Sequence, residues 1–363
     1  MDSKRNSGLT RRTAIAGLAA AGALISTRSK GADGQIGLLL QSYRNPRFKN
    51  IDEPSFRRVV EAAGYKSVSL QAEDDPSRQA TQMELLLARG CKAIALQPVV
   101  GPPTADMVRK AKEADVPVIA YNSSIPSPDV KAFVARNNFA VGKSIAETAR
   151  SLGALRGRWA IVAGPEALAV ASEFVRGLQS VIEPLVRDGT VDLVDLKYHA
   201  NFSTESAHQQ ANNNLTRHND EISGFFCNSD QLAQGVVTAV AQRNLPKVPW
   251  IGSQDASVPG CRAILEGRMA MSSFTQFDQM GETAAKLCVL LAEKKPLPAA
   301  PTYDSGSGAV PFFEIPFFAV TRDNLVSYLQ KYSPSYVDAK AIFAGIPRDR
   351  WPAGADKLPG VAG

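Results

Sequence analysis

Leu87-Ala-Arg-Gly-Cys-Lys-Ala-Ile-Ala-Leu-Gln-Pro98 decides the fold. A helical run ends at Arg89, Gly90 stops it, and residues 91–96 form a short apolar run closed by Gln97 and Pro98. Ala114-Asp-Val-Pro-Val-Ile-Ala-Tyr-Asn122 repeats that order one unit later. Short strands alternating with helices spell a parallel sheet, because a crossover helix is what returns the chain to start the next strand in the same direction.

Working outward, strands are expected at 35–40, 67–71, 91–96 and 117–121, with helices at 54–63, 77–89 and 104–114. A second series places strands at 159–162, 191–198, 222–227, 248–251 and 269–274, and helices at 172–186, 204–217 and 231–243. Two Rossmann-like lobes with parallel sheets follow, an α/β architecture. Residues 295–318 are dense in Pro, Gly and Ser and read as an irregular connection. Beyond Leu325 the periodicity dissolves, and 326–363 read as a tail packed loosely on the body.

The composition agrees with two domains: 363 residues, 44% hydrophobic and 21% charged, suffice for two cores of roughly 150 residues each. The net charge of +6 is concentrated at the start, where Lys4, Arg5, Arg11, Arg12, Arg28 and Lys30 face only Asp2 and Asp33. The remaining +2 argues against a nucleic-acid partner. Thr10-Arg11-Arg12-Thr13 followed by an apolar run at 14–25 reads as a twin-arginine export signal covering 1–33, and so as a periplasmic address. The apolar run is too short to span a bilayer, so no stable membrane insertion is expected. Cys91, Cys227, Cys261 and Cys288 form no metal-binding spacing. They read as small buried hydrophobes, and an oxidising compartment leaves a disulfide open.

Ligands of open parallel sheets bind beyond the C-terminal ends of the strands. Here those ends are 41–48, 97–99, 122–124, 163–169, 199–202, 228–230, 253–255 and 275–277, nearly all neutral polar or aromatic. Such a lining suits hydroxyl-rich solutes better than phosphates, and neither G-x-x-x-x-G-K-[ST] nor G-x-G-x-x-G occurs. The three histidines, His199, His208 and His218, form no H-E-x-x-H, and no G-x-S-x-G elbow is present, so catalysis has no support. The basic N-terminus leaves no place for the helix-turn-helix of a repressor.

The ordered segments resemble the type I periplasmic sugar-binding proteins, the family of ribose- and xylose-binding proteins. Residues 87–98 and 114–122 are similar to that family's third and fourth strands. Phe225-Phe-Cys-Asn-Ser-Asp230, Ile251-Gly-Ser-Gln-Asp255 before Gly260, Thr275-Gln-Phe-Asp-Gln-Met-Gly281 and 315–324 continue the match in order, over about residues 34–325. The resemblance implies a solute-binding protein that captures a sugar, polyol or similar small polar ligand between two lobes and hands it to an ABC transporter permease. It implies no cofactor or metal, a monomer, and a three-segment hinge dividing 34–133 plus 276–308 from 134–275 plus 309–325. A sensor presenting itself to a chemotaxis or signalling receptor is the alternative.

The same resemblance supplies the site residues. Phe48 and Phe202 match the rings that cover a sugar's apolar faces, with a core role as the alternative. Asp255 matches the carboxylate that accepts from sugar hydroxyls, against an alternative as a helix cap. Asn45 and Arg47 match first-lobe contacts, although a solvated loop arginine is an equal reading. Asn122, Ser123, Ser229 and Thr275 occupy family positions held elsewhere by longer or charged groups, and Ala169, Val170 and Ser172 stand where Arg or Asn is usual. These shorter groups open the site to a deoxy sugar, a polyol, or a ligand larger and less hydroxylated than a pentose. Asp230 is expected to cap the next helix.

Overall fold

The computed structural model describes residues 34–99, 103–333 and 337–361, and the expected export signal lies outside them. The first lobe runs β1 (Gln35–Leu40), a π-helical turn at Phe48–Asp52, α1 (Glu53–Ala62), β2 (Lys66–Gln71), α2 (Pro76–Ala88), β3 (Cys91–Leu96), α3 (Thr104–Glu113), β4 (Val118–Tyr121) and β5 (Phe133–Ala135). The second continues with α4 (Asn138–Ser151), β6 (Gly157–Ala163), α5 (Ala169–Arg187), β7 (Val191–Tyr198), α6 (Thr204–Arg217), β8 (Gly224–Cys227), α7 (Asp230–Ala241), β9 (Trp250–Gln254), α8 (Val258–Leu265) and β10 (Met271–Thr275). The chain then returns to the first lobe through α9 (Phe277–Ala292), β11 (Thr302–Asp304) and β12 (Ala309–Glu314). It ends in the second with β13 (Phe317–Thr321), α10 (Leu325–Tyr332) and α11 (Ala339–Phe343).

Both sheets follow one plan. The first has the order β11-β12-β5-β4-β3-β1-β2 and the second β13-β10-β9-β8-β6-β7. In each, the opening strand lies inside the sheet, the next strand goes to one side and the following ones to the other, so β1/β3 and β6/β8 are topological switch points. Ile36, Leu38, Leu39 and Leu40 of β1 are fully buried, as a strand covered by helices on both faces must be. Asp75 opens α2 by accepting from the Ser77 and Arg78 N–H groups, and Gly90 at φ 73° closes it. Where α4 crosses α5, the glycines Gly142 and Gly177 meet the opposite backbone at a distance that a Cβ would forbid.

Three expectations need correction. The Pro- and Gly-rich stretch 295–318 is not irregular throughout, since β12 pairs in parallel with β5, Phe312 opposite Phe133. Because β12 sits in the first sheet, the last crossing falls at Glu314–Phe317 and not at 308–309, and β5 moves the first crossing past residue 135. The tail is not loosely packed. Tyr328, Leu329, Val337, Ile342, Phe343, Leu358 and Val361 enter the same core as Phe225, Ile251 and Phe274. Its helices are too short to show a clear period, and tertiary contact rather than propensity stabilises them. All four cysteines are free and buried, and among the described residues no helix is long and apolar enough to cross a membrane.

Candidate functional site

The crossings bring the C-terminal strand ends of both lobes face to face around a cavity of about 70 Å³. The first lobe contributes the loop after β1, including Asn45, Arg47 and Phe48, together with Gln97 after β3, Asn122 after β4 and Arg136 after β5. The second contributes Val170 at the start of α5, Phe202 after β7, Asn228 and Ser229 after β8, and Gln254 and Asp255 at the end of β9. The lobes touch through Asn45 Nδ2, which donates to Asp255 Oδ2 at 3.2 Å, and through the Tyr303 hydroxyl, which donates to Glu173.

Arg47 is the centre of the first-lobe wall. Its side chain is buried, and the guanidinium lies 3.6 Å from the Phe277 ring centre and 4.3 Å from that of Phe48, a cation–π arrangement. Nη2 donates to Asn122 Oδ1 at 2.8 Å and stands 3.7 Å from Asp52 Oδ1. Nε and Nη1 are buried without a hydrogen-bond partner, a cost that an acceptor arriving in the cavity would remove. Asn122 reaches its place through a left-handed backbone at φ 63°, which asparagine tolerates better than most residues. Behind them Asp52 accepts from the Tyr121 hydroxyl at 2.5 Å. Burial pushes its carboxyl up to about 6, opposed by Arg47 and by the Tyr121 hydrogen bond.

Asp255 faces this wall from the second lobe on a strained turn, with φ 109° followed by Ala256 at φ 46°. Burial raises its carboxyl too, against the pull of Arg136, Arg47 and the Asn45 hydrogen bond. It does not cap α8, because Ser257 does so by accepting from the Gly260 N–H. The capping role expected of Asp230 likewise falls to its neighbour, Ser229, which accepts from the Leu232 N–H. Asp230 is buried instead among the hydroxyls of Ser253, Ser257 and Ser272 and the Ser257 N–H. A Cβ on Gly260 would collide with its carboxylate, so α8 approaches that closely only with glycine there.

Of the nine residues singled out in the sequence, Asn45, Arg47, Phe48, Asn122, Phe202, Ser229 and Asp255 line the cavity. Ser123 and Thr275 are buried but do not reach its wall. Thr275 ends β10, paired with Phe317 of β13, and Ser123 follows Asn122 out of the strand end. Phe202 lies over Gly164, where any side chain would displace its ring. Sequence reasoning missed Arg136, Asp74 and Gln231. Arg136 follows a three-residue strand too short to stand out, and Asp74 reaches the cleft beside its ion-pair partner Arg44, at 3.0 Å. The three histidines stand outside the wall, His199 against Gln210 and His208 against Gln242. Among the described residues no group of three His, Cys, Asp or Glu side chains could hold a metal ion.

Comparison with known proteins agrees with this geometry. A family model described as a periplasmic binding protein domain matches residues 36–296. The chain is 24% identical over 316 residues to the D-xylose-binding periplasmic protein of Haemophilus influenzae, covering 86% of this chain and 94% of that one. It is 24% identical over 302 residues to its Escherichia coli counterpart, covering 83% and 91%. Among solved structures, an ABC transporter solute-binding protein from Clostridium phytofermentans with bound β-D-glucose superposes with a TM-score of 0.78 at 22% identity, covering 85% of this chain and 99% of that one. A carbohydrate transporter solute-binding protein from Chloroflexus aurantiacus in complex with D-glucose gives 0.75 at 25% identity, covering 84% and 98%.

Proposed function

Since this chain belongs to the family of periplasmic binding protein domains, we propose that it captures a sugar or sugar-like solute between its lobes and delivers it to an ABC import permease. One observation carries the reading: two buried donors of Arg47, Nε and Nη1, wait without partners at a cavity walled by both lobes. A hydroxyl-rich ring would accept from those donors and give its own protons to Asp255, which as a carboxylate can only accept. Phe48 and Phe202 offer apolar surface for the ring's C–H faces. The charges near the cavity mix signs, Arg44, Arg47 and Arg136 against Asp52, Asp74 and Asp255, which favours a neutral guest over an ion. Binding across the cleft selects the closed arrangement, and the permease reads closure. The protein acts as a monomer in the periplasm, exported by the twin-arginine route through its first 33 residues.

Melting curves of the purified protein against pentoses, hexoses, deoxy sugars and polyols test this directly. A ligand at a hundredfold excess over its Kd should add about 2.7 kcal/mol of stability. Asp255→Ala should abolish that shift while leaving the unliganded melting point within a few degrees. A panel without any shift, or a variant that binds like the parent, removes the reading.

A further inference from the structure

Beside the cleft lies a second cavity of about 390 Å³, over five times the volume of the first at about 70 Å³. Arg44, Asn45, Arg47, Gln231 and Asp255 line both, so the two cavities adjoin at these residues. The Asn45–Asp255 hydrogen bond among them, at 3.2 Å, is at the long end of the usual range and so among the easier ones to part.

Both lobes wall the second cavity. Its first-lobe wall carries Pro46 and Ile51, and its second-lobe wall carries Val258 and Pro259 with Val337 from the C-terminal segment. Asn50, Thr204 and Gln234 supply polar groups to the same lining, and Gln234 Nε2 is buried without a hydrogen-bond partner. Apolar walls drawn from both lobes, with hydrogen-bonding groups between them, suit a flat ring with C–H faces and a hydroxylated edge.

We propose that this second cavity is a subsite for the second ring of a disaccharide, whose first ring occupies the cleft beside Arg47 and Asp255. The proposal rests on the sugar-binding reading above and sharpens its ligand class. A disaccharide would separate Asn45 from Asp255 and run through the gap, leaving Asp255 to accept from hydroxyls of either ring. Val337 places the C-terminal segment in direct contact with the second ring.

Calorimetric titration of the purified protein with cellobiose, xylobiose and maltose, and with D-glucose and D-xylose, is the test. At least one disaccharide should bind tenfold or more tightly than its own monosaccharide. Val258→Trp, which fills the second cavity, should weaken that disaccharide at least tenfold and leave the monosaccharide within twofold. Val337→Trp serves the same purpose should the first variant fail to fold. Disaccharides that bind no better than monosaccharides, or a filling variant that weakens both alike, overturn the subsite and leave the sugar-binding reading standing. Silence towards these five sugars and towards the whole panel of pentoses, hexoses, deoxy sugars and polyols brings down both.

Discussion

Each lobe buries one aspartate behind the cleft, and the two keep different company. Asp52 in the first lobe has the Tyr121 hydroxyl and the Arg47 guanidinium, whereas Asp230 in the second has three serine hydroxyls and a backbone N–H. Burial lifts both to about 6, and the Asp255 charge adds to the effect at each. The partners differ in what they can do next. A guanidinium only donates and keeps its charge, so Asp52 steadies a cation at the cavity wall. A hydroxyl both donates and accepts, so Asp230 works as a knot joining the loops after β8 and β9 to β10.

Alanine at the two positions should separate these roles most widely. Asp230→Ala strands several buried donors at about 1–3 kcal/mol for each one left unmade, and should lower the unliganded melting point by roughly 10 °C. Asp52→Ala strands fewer and should cost less stability, yet it frees Arg47 and should weaken ligand binding by the larger factor. Equal effects on both readouts would erase the distinction. A gentler probe is Asp230→Asn, whose amide can donate to serine hydroxyls that turn to accept. The parent's carboxyl favours the folded state below its unfolded value near 4, and that advantage is lost as pH rises through about 6. Melting points taken from pH 4 to 7 should therefore rise for the asparagine variant relative to the parent, and a flat difference would show that Asp230 carries no such penalty. The smallest effect belongs to Tyr328→Phe. Its hydroxyl donates to the Ala256 carbonyl at 3.1 Å, bracing the turn that aims Asp255. Losing that bond should cost about 1 kcal/mol in chemical denaturation, with a measurable loss of affinity that a role confined to packing would not produce.

Much of the lobe architecture is readable along the chain. β1 and β3 keep their expected bounds, because each is a short apolar run between turn residues. In the second lobe β9 and β10 begin two residues later than expected, and β9 runs on to Gln254 instead of ending at 251, which places Ser253 inside a strand, bonded to Asp230. The site residues that stood out are those next to strong strand ends, such as Asn45, Arg47 and Asp255. Arg136 follows β5, and β5 is three residues long and gains its place only by pairing with β4 and β12.

Alternation of strand and helix, the polar character of the strand ends and the crowding of charge into the first 33 residues are properties of local order, and the amino-acid sequence by itself determined them. The sheet membership of β12, the burial of the C-terminal segment, the exchange of capping and knot between Ser229 and Asp230, and the second cavity beside the cleft arise from residues far apart in the chain. Only the tertiary structure decided those, because a contact between distant segments leaves no period in either one.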